Sequence, residues 1–451
     1  MTDTTLGRIA GYGSRLAFSD LPAAAVHEAK RRLIDTLGCM LGAYHEVPSR
    51  IARGMAARSA AESGARVIGS AQRRLPELAA FANGVMGRYL DGNDTYPGGG
   101  GHPSDMLAAV LAAADACRAD GRSIICAIAF AYEVYHTLFQ ATRMRDKGMD
   151  NVFYTAVGGA AGAAKVLGLT GARMADAISL AITANLALEA TRRGKLSMWK
   201  GAAAGNAARN GVFAALLAAD GMTGPEKPIE DERGLWGLVG RFELGPFGGR
   251  SHRYAVTRSS LKYFLSEYHS QSPIAAALEL QPQVKVEEIA AITIYTQWFT
   301  WYEIGSEPEK WHPTTRETAD HSLPYIIAAV LIDGSFSDEI FAEHRLGDPR
   351  IHALTDRITV KEEPEFTRQF PDAIHCRIEI ETTGGGRKIA AVVFPRGHVN
   401  NPMTDAEVDA KFRALATRVL PGGKTEAALQ LLWRFDEAVH LDALFGAIDF
   451  S

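Results

Sequence analysis

The sequence predicts a mainly α protein with an α+β second domain: a large all-helical domain built from both chain ends, plus a smaller inserted α+β lid domain. Three observations predict it. Apolar residues recur at helical spacing through residues 1–250. After Pro246 the pattern turns β-rich and alternating, and from Thr404 helical spacing returns. The expected boundaries are 1–250 with 402–451 for the helical domain and 251–401 for the lid.

The elements follow in order. In 23–43, Val26, Leu33, Ile34, Leu37, Met40 and Leu41 trace a buried stripe. Met106–Cys117, Ile124–Phe139, Ala160–Leu169 and Met174–Glu189 repeat the pattern. Ala and Gly dominate 156–168 and 201–219, and small residues let helix axes approach, so these helices belong in the middle of the domain. Gly158/Gly162 and Gly201/Gly205 share the spacing of membrane helix pairs, but internal and flanking charges favour tight packing in a soluble core. In the insertion, 288–297 and 358–363 read as short strands. Cys376, Ile378 and Ile380 alternate with Arg377, Glu379 and Glu381, the period of a half-buried strand. Thr383-Gly384-Gly385-Gly386 offers a turn into a partner strand at 388–394. Helices are expected at 271–280 and 322–332. Beyond Thr404, Phe412, Leu415, Ala416 and Val419 share a helical face, and a second helix starts at Thr425.

Composition excludes several classes of function. Of 451 residues, 47% are hydrophobic and 22% charged, which is globular rather than disordered. Lys and Arg number 48 against 52 Asp and Glu, a formal charge of -4, so no global basic field exists to hold nucleic acid. The four cysteines, Cys39, Cys117, Cys126 and Cys376, form no C-x-x-C pair. That argues against a disulfide scaffold, a zinc site or an iron–sulfur cluster, and reduced thiols point to the cytoplasm. The amino-terminal segment lacks the apolar stretch of a secretory signal. No uninterrupted apolar run reaches membrane-spanning length, and the nearest, 152–169, carries Lys165. The expected protein is cytoplasmic, with neither nucleic-acid nor membrane partners.

Chemistry concentrates in four stretches. Tyr89–Asp105, YLDGNDTYPGGGGHPSD, holds Asp91, Asp94, Thr95, four successive glycines and His102. Ser104-Asp105 precedes an apolar run and fits a helix N-cap, whose exposed N–H groups favour an anion. A His beside an Asp can be fixed in one tautomer and act as acid or base near neutral pH. The same residues equally fit a solvated glycine loop with an ordinary cap. In Thr191–Asn210, Arg192, Arg193, Lys195 and Lys200 precede a helix of Gly, Ala and Asn. An exposed basic turn is the default for the first three. Lys200 adjoins Trp199 and enters a helix so small-sided that it must be packed, so its charge needs a negative partner, and a substrate carboxylate is one candidate. Leu261–Ser272 sets Lys262, Glu267 and His269 among aromatics, a pattern that is more often a charged surface loop. Asp320-His321-Ser322, before an apolar helix, reads as a cap with a structural His. No cluster has metal-ligand spacing, and no P-loop, G-x-S-x-G elbow or dinucleotide fingerprint occurs.

With these residues in view, the chain resembles the MmgE/PrpD family along nearly its whole length. The family's D-F-N-D-T-Y followed by H-P-S-D is similar to Asp91-Gly92-Asn93-Asp94-Thr95-Tyr96 and His102-Pro103-Ser104-Asp105. Its W-K-G-x-A-A-x-N-A-x-R element is matched by Trp199-Lys200-Gly201, Asn206 and Arg209. A K-x-x-F-P-A-E-F-H-S-Q-T-like stretch is matched by Lys262, Phe264, Glu267, Tyr268, His269, Ser270 and Gln271. T-A-D-H-S-x-x-Y is matched by Thr318–Ser322 with Tyr325, and G-x-x-x-N-P by Gly397 with Asn401-Pro402. The chain departs from the family at Gly92, at Leu265, and at Gly148-Met149-Asp150-Asn151, where relatives usually carry a His.

The resemblance implies a cofactor-independent, metal-free lyase, usually a homodimer, acting on a citrate-like polycarboxylate such as 2-methylcitrate. The related chemistries are isomerisation or epimerisation, decarboxylation of cis-aconitate, and carboxylate binding without catalysis. It implies catalytic roles for His102, Asp91, Thr95, Lys200, Lys262 and His269, and substrate contacts from Asp94, Ser104, Glu267 and Gln271. Removing a proton α to a carboxylate builds negative charge on its oxygens, so Lys200 and Lys262, with the amides near Ser104, are expected to neutralise it. The expected arrangement is that cations from both folding units meet the His102 imidazole across a gap.

Overall fold

A computed structural model describes residues 4–99 and 101–450. Gly100, within the glycine run, lies outside the described residues. The chain divides into two compact units. One comprises Met1–Ala190, Gly201–Ser259 and Thr404–Ser451, and the other Thr191–Lys200 with Ser260–Met403.

Among the described residues, the regular structure of the first unit is helical apart from a two-stranded ribbon, Ala65–Arg66 with Arg73–Arg74. Helix Ala23–Gly42 buries Leu33, Ile34, Leu37, Met40 and Leu41, as its spacing predicts, while Val26 near its start is half-exposed. Helix Gly121–Ala141 starts at Asp120, whose carboxylate accepts from the Ser123 amide at 2.7 Å. This helix, rather than 152–169, is the one long and apolar enough to cross a membrane among the described residues. However, 78% of its apolar stretch is buried within the protein, as expected of a core helix. The 152–169 stretch forms the shorter helix Val152–Val166. Helix Gly171–Ala184 ends short of the expected Glu189 because Asn185 turns extended, and its amide takes the Ala181 carbonyl at 2.7 Å.

Small residues set the packing of this unit. A Cβ on Gly84 of helix Pro76–Tyr89 would come within 2.7 Å of the Gly205 Cα. A Cβ on Gly205 would sit 2.7 Å from the Phe81 carbonyl oxygen and 2.8 Å from the Val85 amide nitrogen. The two helices therefore touch backbone to backbone. Tyr89, at the end of helix Pro76–Tyr89, leads directly into the Asp91 loop. The C-terminal helix Asp405–Ala416 begins with a reciprocal capping box: Glu407 donates its amide to Thr404 Oγ1, and its carboxylate accepts from the Thr404 amide at 2.7 Å.

The second unit carries a four-stranded mixed sheet, with Ile358–Glu362 parallel to Ile289–Thr296 and Cys376–Thr382 antiparallel to it on the other side. The predicted hairpin closes through Arg387–Val392. Ile292 pairs with Ile380 and Ile294 with Ile378, so one face is a continuous aliphatic layer. Ile274 and Ala277 of helix Gln271–Leu280, and Ile326, Ile327 and Val330 of helix Leu323–Asp333, join that layer in one core.

The backbone contact at Gly205 predicts that Gly205→Val lowers stability by about 1–3 kcal/mol through overpacking. Denaturant unfolding measures this directly. A neutral effect would show that the two helices can separate.

Candidate active site

In the first unit the loop after helix Pro76–Tyr89 is shaped by Asp91, whose φ of 52° is left-handed. A non-glycine residue there costs about 1 kcal/mol. The kink brings Asp91 Oδ1 to 2.8 Å from Arg88 Nη1, with His102 Nε2 at 3.8 Å. Both Asp91 and Arg88 are buried. His102 Nδ1 lies 2.8 Å from the backbone carbonyl of Asp94. A carbonyl oxygen only accepts, so Nδ1 carries the proton and Nε2 is the basic nitrogen of the neutral ring.

Asp94 supports this loop with its whole side chain. Oδ1 accepts the Ser104 amide at 2.8 Å, Oδ2 accepts the Tyr132 hydroxyl at 2.8 Å, and Arg32 Nε lies 3.4 Å from Oδ2. Burial, reinforced by the Asp94 charge, pushes the Tyr132 phenol well above its usual range, so it remains a donor. Asn93 donates to Ser104 Oγ at 2.9 Å and to Asp105 Oδ1 at 2.8 Å. Thr95 Oγ1 donates to the Gly101 carbonyl at 3.0 Å, and Asn151 holds the Gly99 carbonyl at 2.7 Å.

Two expectations about this loop are corrected. Ser104-Asp105 do not cap the following helix. They lie inside a short turn, Pro103–Met106, which His102 precedes without a side-chain cap. The Ser104 amide offers no anion site either, because the Asp94 carboxylate already fills it.

In the second unit Lys200 is 1% exposed, and its ammonium ion meets both oxygens of Asp320, at 2.7 and 2.8 Å. The negative partner that its burial demands is therefore supplied by the protein. Asp320 Oδ1 also lies 2.7 Å from His321 Nδ1, which must be the protonated nitrogen of that ring. Ser322 caps helix Leu323–Asp333, its hydroxyl accepting from the Tyr325 amide at 3.2 Å. The cap was legible in the sequence. The Lys200–Asp320–His321 chain was not, although a lysine that has to be buried is a signal to look for an acidic residue beside a His.

Around it lies the 261–272 segment, tied on by the Glu267 amide donating to the Asp320 carbonyl at 3.3 Å. Glu267 Oε1 is 2.7 Å from His269 Nδ1, and Oε2 accepts the His269 amide at 2.6 Å. Burial works to raise the Glu267 carboxyl, but the charge and hydrogen bond of His269, aided by His321 and Lys262, outweigh it and hold the group down at about 2. His269 Nε2 is buried without a hydrogen-bond partner, its ring set 4.8 Å from Phe299. An orphaned polar atom costs about 1–3 kcal/mol, which the Glu267 bonds at His269 offset. Lys262 is fully buried. The Gln271 amide is occupied on both sides by the Phe264 backbone, at 3.0 Å each way.

The structure thus gathers Asp91, Asp94, Thr95, His102 and Ser104 in one unit. It gathers Lys200, Lys262, Glu267, His269 and Gln271 in the other, with Asp320 and His321 added to them. Neither unit by itself assembles three His, Cys or carboxylate ligands among the described residues.

Residues 7–241 match the MmgE/PrpD N-terminal domain and residues 264–436 the MmgE/PrpD C-terminal domain. The chain is 30% identical over 456 residues to 2-methylcitrate dehydratase of Cupriavidus necator, covering 95% of this chain and 93% of that one. It is 30% identical over 435 residues to 2-methylcitrate dehydratase of Escherichia coli strain K12, covering 88% and 87%. Cis-aconitate decarboxylase of Homo sapiens is 25% identical over 443 residues, covering 94% and 90%.

The Glu267 carboxyl, lowered from 4.5 to about 2, stabilises the fold above pH 4.5, and that stability is lost as pH falls toward 2. Glu267→Gln should therefore cost on the order of 2 kcal/mol near neutrality. The gap to the unsubstituted protein should close as pH falls through that window. Denaturant unfolding across pH tests this, and a pH-independent gap would contradict it.

Proposed function

Because the chain belongs to the MmgE/PrpD family, we propose that it is a hydro-lyase acting on a citrate-like polycarboxylate, with 2-methylcitrate the leading substrate. The observation that carries the reading is the fixed tautomer of His102. Its Nδ1–H is held by the Asp94 carbonyl, and its basic Nε2 lies 3.8 Å from the Asp91 carboxylate. Such a ring is ready to take a proton, and the nearby negative charge stabilises the imidazolium that results.

In the proposed reaction His102 Nε2 removes the proton α to a substrate carboxylate. The electron pair of the broken C–H bond forms the C=C bond, and the C–O bond to the β hydroxyl breaks. The hydroxyl leaves as water with a proton from a second acid, a role assigned to His269 as an imidazolium, which keeps its Nδ1–H on Glu267 and gives up the proton of its unpartnered Nε2. Lys262 neutralises the charge that builds on the substrate carboxylate. Lys200 enters through Asp320, fixing the tautomer of His321. Thr95 and Asp94 hold the His102 loop in shape, and Gln271 does the same for the Lys262 segment. The reading includes a homodimer that needs no metal, with the buried Lys262 supplying the positive charge.

The test is a panel of 2-methylcitrate, citrate and cis-aconitate, followed by the ultraviolet absorbance of a new double bond, by CO2 release and by proton exchange in D2O. Alkene formation with loss of water from 2-methylcitrate is the expected result. Carbon dioxide from cis-aconitate would instead make the protein a decarboxylase, and exchange without an alkene an isomerase. Binding without any turnover would make it a non-catalytic relative. Within the dehydratase reading, His102→Gln should lower kcat about 10³-fold with the circular dichroism unchanged. Full turnover by that variant would remove His102 from the mechanism.

A further inference from the structure

The loop carrying Asp91 is held from the far end of the chain. Lys411, on the C-terminal helix Asp405–Ala416, donates to the Gly92 carbonyl at 2.6 Å across a separation of 319 residues. The same ammonium ion lies 2.6 Å from Asp35 Oδ1 on helix Ala23–Gly42. The Lys411 side chain is 9% exposed and that of Asp35 1%, so water competes little for either contact. Gly92 itself is buried and directly follows Asp91, the residue forced to positive φ. Strained backbone of this kind persists only where its surroundings over-determine it. A charge-assisted bond on the Gly92 carbonyl, in the peptide unit just beyond the kink, anchors the chain that would have to shift if the kink relaxed.

We infer that Lys411 is a positioning residue of the active site: seated on Asp35, it locks the Gly92 carbonyl and thereby keeps the Asp91 carboxylate facing Arg88 and His102. The inference rests on the proposed role of His102 and Asp91 and extends their support to the last helices of the chain. It gives the C-terminal segment a part in the chemistry without any contact to substrate. The competing account is an ion pair that merely fastens helix Asp405–Ala416 to helix Ala23–Gly42.

Two variants and one spectroscopic readout separate these accounts. Lys411→Met should lower kcat about 10- to 100-fold with KM little changed, the scale expected when a reacting group is misplaced by a fraction of an ångström to one ångström. It should also lower the melting temperature, because Asp35 is left buried without its cation. Asp35→Asn combined with Lys411→Met removes both charges, so the melting temperature should recover while kcat stays low, Gly92 remaining unheld. Lys411→Arg, which keeps a donor, should retain more kcat than Lys411→Met. If kcat recovers together with stability in the double variant, or if Lys411→Met turns over normally, the positioning role is wrong. The ¹⁵N resonances of the His102 ring supply a readout independent of substrate. They should shift in Lys411→Met and remain shifted in the double variant, and unchanged resonances would overturn the inference. A protein that turns over no polycarboxylate would overturn the functional reading instead, leaving the His102 resonances to decide the part played by Lys411.

Discussion

A ring nitrogen that faces an oxygen able only to accept must itself carry the proton, and this constraint organises both halves of the candidate machinery. His102 faces the Asp94 carbonyl, His269 the Glu267 carboxylate and His321 the Asp320 carboxylate, each through Nδ1. All three partners come from within eight residues of the ring they hold, so local turns decide the tautomer. Long-range contacts then decide where each turn sits. Tyr132 and Arg32 hold Asp94, Lys411 holds Gly92, and Lys200 holds Asp320. Chemistry that moves protons needs this division of labour, because a ring free to flip would present the wrong nitrogen for part of the time.

Buried charge is the accompanying cost. Lys200 with Asp320 and Lys411 with Asp35 each sequester a full ion pair, and such pairs contribute little net stability compared with apolar packing. Burial raises the Asp35 carboxyl even against the lowering effect of Lys411. These pairs are better understood as fixing geometry: each cation is also tied, through its partner or directly, to a loop that carries an imidazole or an acid. The apolar cores around them, such as the Ile292–Ile380 layer, supply the stability that tolerates the expense.

Much of the fold was legible in the sequence because it follows from periodicity. The stripe through Leu33–Leu41, the alternation at Cys376–Glu381 and the start at Thr404 each reappear as the predicted element. Element ends were harder, since Asn185 stops a helix through one side-chain bond that no apolar pattern records. The candidate site residues were chosen from the sequence as residue types; their partners were not legible there. Lys200 was expected to await a substrate carboxylate and instead holds Asp320, more than a hundred residues away. Ser104 looked like a cap, but it lies inside the short turn Pro103–Met106, and its amide is taken by a carboxylate earlier in the loop. Contacts of this kind depend on tertiary placement, which hydrophobic spacing does not encode.

The most direct test of the account is the protonation pattern of the imidazole rings, read by long-range ¹H–¹⁵N correlation spectra of histidine-labelled protein at mildly alkaline pH. The account predicts that His102, His269 and His321 all appear as the Nδ1–H tautomer with an unprotonated Nε2. A spectrum showing His102 predominantly protonated at Nε2 would contradict it, because the nitrogen assigned to take the substrate proton would already carry one.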